Sequence, residues 1–225
     1  MIRGMGASRA GMVWEQARTE VIANNVANVN SDGFHRSVAV GREFGQMLLR
    51  RIGDQQPGGP VLGAAGSGAE LAEIVQDQRS GILRESDNPL DAALAGPGEF
   101  TVLGAAGLTY TRDGRFKRDA EGQLVTAQGQ PVLVSGAPVG AGATSLEITD
   151  DGTVMVDGQA AGRFDLRGAT AETKVWGGRL EASTVDLAQE LTDLITALRS
   201  FQINQRALQM QDQTLGKAVN DLATL

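Results

Sequence analysis

The stretch from residue 183 to 223 constrains this chain more than any other. Leu187, Leu194, Phe201, Leu208, Leu215 and Leu222 recur at every seventh position without a miss. A companion register holds Leu191, Leu198, Gln205, Asp212 and Val219. A seven-residue apolar stripe belongs to a helix that packs along another helix in coiled-coil-like geometry. Ser183 followed by Asp186 resembles a capping box and predicts the start of that helix. Some 40 residues of helix span about 60 Å, longer than a small β core is wide. Such a helix needs the other end of the chain, further copies of itself, or both. The polar Gln205 and Asp212 weaken the seam and are suited to setting register or oligomer state.

The other end supplies a candidate partner. Residues 1–30 read as a helix with Ile2, Met5, Met12, Ile22, Val26 and Val29 on a stripe, and Met5, Met12, Thr19 and Val26 lie seven apart. Asn28-Val29-Asn30-Ser31-Asp32-Gly33 then supplies helix-stop and turn chemistry. Asn24, Asn25 and Asn28 lower helix propensity on this stripe. Either the helix end frays there, or the side-chain amides bond a partner helix or backbone and offset the cost.

Between the ends the pattern changes. Phe44, Met47, Leu48 and Leu49 suggest a helical turn or two, and Pro57-Gly58-Gly59-Pro60 with Gly63–Gly68 read as a flexible joint. From about residue 70, Asp-Gly or Glu-Gly pairs at 113–114, 121–122, 151–152 and 157–158 punctuate short strand-like stretches. The strands predicted are Leu108–Thr111, Arg115–Lys117, Leu124–Thr126, Pro131–Val134, Leu146–Ile148, Thr153–Val156 and Arg163–Leu166. Glycine supplies the positive φ of hairpin turns, so the middle reads as a small all-β sandwich, barrel or meander. The fold class expected is α+β. An N-terminal helix occupies 1–36, a Gly/Pro-rich connector 37–69, a β domain of short antiparallel strands 70–179, and the heptad helix 180–225. The terminal helices pair into one helical domain.

Composition removes most chemistries. The 225 residues carry 20 Lys+Arg against 27 Asp+Glu, a formal charge of −7, with no basic block to track a phosphate backbone. Aromatic residues, at 4%, are too few for base-stacking platforms. There is no cysteine and one histidine, His35, which excludes thiol chemistry and any site needing two imidazoles. His35 reads as a surface or interface residue. Gly63–Gly68 and Gly216-Lys217 lack P-loop context. Asp150, Asp151 and Asp157 miss the spacing of a calcium loop and read as hairpin turns. Asp119 and Glu121 flank a turn, and a carboxylate-only hydrolase built on them has no sugar platform. No apolar run reaches the ~18 residues of a membrane span, and no h-region of a cleaved secretory signal follows the N-terminus. The expectation is a non-enzymatic chain without cofactor or metal, and without nucleic-acid, small-molecule or membrane partner.

Several motifs carry a resemblance. Ala23-Asn24-Asn25-Val26-Ala27-Asn28-Val29-Asn30-Ser31-Asp32-Gly33-Phe34 resembles the N-terminal signature of bacterial flagellar rod and hook proteins. Leu180-Glu181-Ala182-Ser183-Thr184-Val185-Asp186-Leu187, with the helix after it, resembles their C-terminal signature. Gly81–Glu85 with Asn88-Pro89-Leu90-Asp91 is similar to the entry into their β domain, and Tyr110–Phe116 and Asp119–Thr126 to its hairpins. Phe44–Gly53 looks most like the rod-type hook-basal-body proteins of Gram-positive-type bacteria. Thr184 departs from the pattern, standing where the family usually has Asn. The resemblance implies a basal-body rod subunit, exported by the flagellar type III apparatus without a cleaved signal, that assembles with itself and with other rod and hook axial proteins and transmits torque. Its terminal helices would order on entering the polymer. The interface expected is Met5, Met12, Ile22, Asn24, Asn25, Val26, Asn28, Leu187, Leu191, Leu194, Leu198, Phe201, Leu208, Leu215 and Leu222. The residues also allow a secreted binding module, a β head held as an oligomer by a C-terminal coiled coil.

Overall fold

The computed structural model describes residues 2–43, 47–50, 61–65 and 68–223, which form two compact units. The expectations for Phe44, for Pro57–Pro60 and for Gly66-Ser67 lie outside the described residues. So do the side chains of Ile2, Met47, Leu48, Leu49 and Leu222.

The first unit holds both long helices, α1 (Ile2–Ala27) and α2 (Leu187–Ala223), with residues 37–75. The α2 helix has 37 residues, about 55 Å at 1.5 Å per residue. It starts at Leu187, just past Asp186, which stands at the N-cap position, and Glu190 places an acid in the first turn. The Ser183 hydroxyl accepts from the Val185 amide (3.3 Å), four residues before the first helical residue. Residues 37–69, read from the sequence as connector with a helical turn near 44–49, carry β1 (Ser37–Glu43), β2 (Met47–Arg50) and β3 (Val61–Ala65). Strand β2 pairs antiparallel with β3, which places Gly63 in a strand rather than a loop. A fourth strand, β4 (Ala69–Gln76), pairs with β1.

The second unit, 27–36 with 76–186, is a β body. Its entry strands β5 (Leu83–Glu85) and β6 (Ala92–Ala95) pair antiparallel with its exit strands β18 (Arg179–Glu181) and β17 (Lys174–Gly177). Between them lie the hairpin of β7 (Glu99–Gly104) with β8 (Gly107–Thr111), the pair β9 (Phe116–Arg118) and β10 (Leu124–Thr126), the short pair β11 (Leu133–Val134) and β12 (Ala137–Pro138), and the meander β13 (Leu146–Ile148), β14 (Thr153–Val156) and β15 (Gln159–Arg163). Strand β16 (Leu166–Arg167) closes the other edge of β7. Inward residues from these strands make a dry core around Phe100, Phe116 and Phe164, whose ring centroids lie 5.1–5.5 Å apart. Leu94, Val102, Leu124, Val132 and Val154 are wholly buried around them.

Three of the four acid-glycine pairs turn hairpins as expected. Asp157-Gly158, both at positive φ (48° and 80°), joins β14 to β15 in two residues. Asp113-Gly114 does not. It joins strands of different pairs, and a side chain on Gly114 would collide with the Ala92 carbonyl. That glycine serves a close backbone approach rather than a turn.

Candidate functional site

The helical unit is built on an antiparallel α1–α2 seam with heptad rungs. Asn25 Nδ2 donates to Glu190 Oε2 (3.1 Å), and Arg18 meets Asp193 (3.5 Å). A Cβ on Gly11 would stand 2.8 Å from the Asn204 amide, and one on Gly4 2.8 Å from that of Gln211. The rungs 4, 11, 18 and 25 thus step seven residues up α1 while their partners step down α2. Ser8, Glu15 and Ile22 are buried one half-heptad away, and Glu190 and Ala197 are wholly buried on α2. Glycine at two rungs lets carboxamides lie against the backbone of α1. The seam is therefore small and polar, and it runs one residue before the Met5, Met12, Thr19 and Val26 register read from the sequence. Met5, Met12 and Val26 are half-buried beside it.

Polar contacts in the seam are specific. Asn25, wholly buried, donates to the Ser37 carbonyl (2.8 Å) and accepts from the Ser37 amide (2.9 Å), tying the start of β1 to α1 and α2. Of the two readings of the asparagine cluster, the structure thus favours amides that bond helix and backbone. Asn28 closes the turn after α1, its Oδ1 accepting from Ser31 Oγ (3.1 Å), and Asn24 is exposed beside a shallow groove of about 280 Å³ lined by Val21, Leu71 and Ile74. Burial pushes the Glu15 carboxyl up, opposed by Arg18.

The predicted stripe of α2 divides. Leu194, Phe201, Leu208 and Leu215 are half-buried. Leu187, Leu191, Ile195 and Leu198 stay 43%, 44%, 53% and 45% exposed. Their spacing of four, four and three places them on one helix face, so α2 presents an apolar strip that α1 does not cover. Hydrophobic periodicity found the strip. It missed the seam, because Gly4, Ser8, Gly11, Glu15, Arg18 and Asn25 carry almost no apolar signal; only their own heptad spacing, matched by Asn204 and Gln211, could have revealed it.

A second constellation lies in the β body. Glu181, Arg112 and His35 have side chains only 1%, 10% and 9% exposed. Arg112 Nε donates to Glu181 Oε2 (2.9 Å) and Nη2 to Oε1 (3.2 Å), while the rest of the guanidinium reaches the carbonyls of Gly98 (2.9 Å) and Gly96 (3.0 Å). The Gly81 amide donates to Glu181 Oε1 (2.7 Å), and His35 Nε2 lies 3.3 Å from the same oxygen. Burial pushes the Glu181 carboxyl up, but the hydrogen bonds from His35, Arg112 and Gly81 together hold it below the ordinary range. His35, expected at the surface or an interface, is buried because its ring completes this cluster. Around it the Gly33 amide donates to the Glu181 carbonyl (2.7 Å), and the Arg36 amide to Thr184 Oγ1 (2.8 Å), so Thr184 holds the strand that follows residue 33. Gly33 sits at φ 67° against the Arg112 carbonyl, where a side chain would collide. The cluster pins three segments far apart in sequence to one carboxylate, which meets His35, Gly81 and Arg112 at Oε1 and Arg112 again at Oε2. Asp119 Oδ1 accepts from the Glu121 and Gln123 amides, and both Asp151 oxygens accept from Thr153, each within its own turn.

Comparisons with known proteins agree with this arrangement. A family model for the flagella basal body rod protein matches residues 7–35, one for the flagellar hook protein FlgE/F/G D1 domain matches 93–156, and one for the C-terminal part of the flagellar basal body rod FlgEFG protein matches 177–222. The chain is 30% identical to the flagellar basal-body rod protein FlgG of Caulobacter vibrioides, over 95% of this chain and 97% of that one. It is 29% identical to FlgG of Bacillus subtilis, covering 98% and 99%, and 27% identical to the flagellar hook-basal body complex protein FlhO of the same organism, covering all of both. The three matched stretches fall on α1 with its turn, on the β body, and on the return into α2. This chain therefore belongs to the bacterial flagellar basal-body rod and hook protein family and is a structural subunit of the flagellar basal body.

Proposed function

We propose that the chain joins the rod through the uncovered strip of α2, and that the strip is covered there by helices of further copies or of other rod and hook axial proteins. One observation carries this: four large apolar side chains, Leu187, Leu191, Ile195 and Leu198, lie exposed on one helix face although a partner helix is already in place. Burying such a strip is worth roughly 25 cal/mol per Å² of apolar surface, and contacts repeated head-to-tail generate a filament rather than a closed ring. The subunit makes and breaks no bond in this role. It passes torque along a packed helical wall, after export through the flagellar type III apparatus.

The test is Leu187→Asp, Leu191→Asp and Leu198→Asp, singly and together. Each side chain is solvated in the single chain, so folding should change by no more than about 0.5 kcal/mol. Incorporation into basal bodies and swimming should be lost in the triple variant. Normal motility of the triple variant would refute the proposal. A fixed trimer at low concentration that the same changes dissolve would favour the binding-module reading instead.

A further inference from the structure

His35 is the only histidine of the chain, and both of its ring nitrogens face acceptors. Nδ1 lies 2.6 Å from the Asp77 carbonyl oxygen and Nε2 3.3 Å from Glu181 Oε1. A neutral imidazole carries one N–H and can donate to only one of them. Its other nitrogen would then direct a lone pair at an oxygen. The imidazolium donates to both, so the geometry calls for the charged ring.

We propose that His35 is a proton-operated latch, whose imidazolium clips the 27–36 strap and the 77–81 segment to Glu181 and whose deprotonation releases them. The latch goes beyond a role in the rod and does not depend on it. His35, Asp77, Gly81, Arg112 and Glu181 all belong to the β body, so the latch acts within that unit. Backbone bonds run through the same place: Asp77 N to the Arg36 carbonyl (2.8 Å), Thr184 N to the Phe34 carbonyl (3.1 Å) and Ala182 N to the Ile82 carbonyl (2.9 Å).

The charged groups that face the ring are Glu181 from β18 and Arg112 from the end of β8; the Asp77 side chain is engaged by Arg79. The Glu181 hydrogen bond raises the His35 pKa above its ordinary 6.5, burial opposes it, the Asp77 carbonyl adds to the rise, and Arg112 works against it. Because the folded pKa is the higher one, the stabilisation is complete below about 6.5 and fades as pH rises through the folded pKa. Glu181 sets the other limit. Its folded pKa is lowered, so its contribution is lost as pH falls through that value. The latch therefore holds between the lowered Glu181 pKa and the raised His35 pKa, and opens as pH rises through the latter. Arg112 stays charged throughout and keeps Glu181 anchored when the ring lets go.

The experiment is a pH titration of the full-length chain followed by the ring nitrogen and proton resonances of its one histidine, together with amide-exchange protection at Gly33 and Gly81. The latch predicts a doubly protonated ring, a midpoint above 6.5, and protection at both glycines falling about tenfold or more as the ring deprotonates. Glu181→Gln should move the midpoint down, and His35→Gln should remove the pH step in protection. A midpoint at or below 6.5, or protection that stays level through the titration, overturns the proposal. So does a step that persists in His35→Gln. The wild-type titration decides the matter even where a variant does not fold.

Discussion

The two units solve the same problem in opposite ways. The β body buries Phe100, Phe116, Phe164 and a shell of valines and leucines in a core that needs nothing from outside. The helical unit buries serine, alanine, asparagine and two glutamates beside Val21 and Ile22, and leaves leucines and an isoleucine in solvent. A closed apolar core supplies stability to a chain that stands alone. A polar seam contributes less net free energy but fixes one register through specific pairs, such as Asn25 with Glu190 and with the Ser37 backbone. An open apolar strip beside it keeps the larger hydrophobic term for a later partner. On the function proposed above, the body holds shape and the helices serve assembly.

The sharpest way to break this contrast is Phe100→Ala. It empties the centre of the aromatic trio and should cost the body about 3–5 kcal/mol, read as a fall in its urea midpoint. Asn25→Ala comes next. It removes two bonds to the Ser37 backbone and one to Glu190, and should cost the helical unit about 2–3 kcal/mol, seen as faster amide exchange along α1 with the body unchanged. Equal losses in both units for either variant would mean that they unfold as one. The smallest effect is at Glu15. Burial raises its folded pKa, so charging it costs stability above that pKa, and the cost is relieved as pH falls through it. Glu15→Gln should firm α1 at neutral pH by no more than about 1 kcal/mol and flatten that part of the acid response. A looser α1 at neutral pH would show that Glu15 is held by its charge rather than strained by burial.

Much of the body's local structure was legible in the sequence. Asp157-Gly158, Asp151-Gly152 and Glu121-Gly122 announced their hairpins because positive φ is a local demand on a residue. The entry and exit strands were not legible. Ala92–Ala95 alternates nothing, since every residue but the last is buried, and alanine has little preference for strands. It becomes a strand only because Lys174–Gly177 lies beside it. The same holds for the 37–69 stretch, whose strands need one another to exist.

For the candidate site, the apolar strip was visible and the seam was not. Leu187, Leu191 and Leu198 stand out by period alone, whereas Gly4 and Gly11 matter only through the Gln211 and Asn204 side chains that lie on them. His35 shows the same limit. In the sequence it is one histidine after a turn; in the structure its ring meets Glu181 and the Asp77 carbonyl, up to 146 residues away.

The sequence by itself determined the helical ends, the β middle, the turns and the kinship, because these rest on periodicity, local φ preference and motif order. Only the tertiary structure decided which face of each helix is covered, which strands close the body and which acceptors His35 faces. Those depend on which distant groups meet, and a buried polar group takes its energy from its partner rather than from its neighbours in the chain.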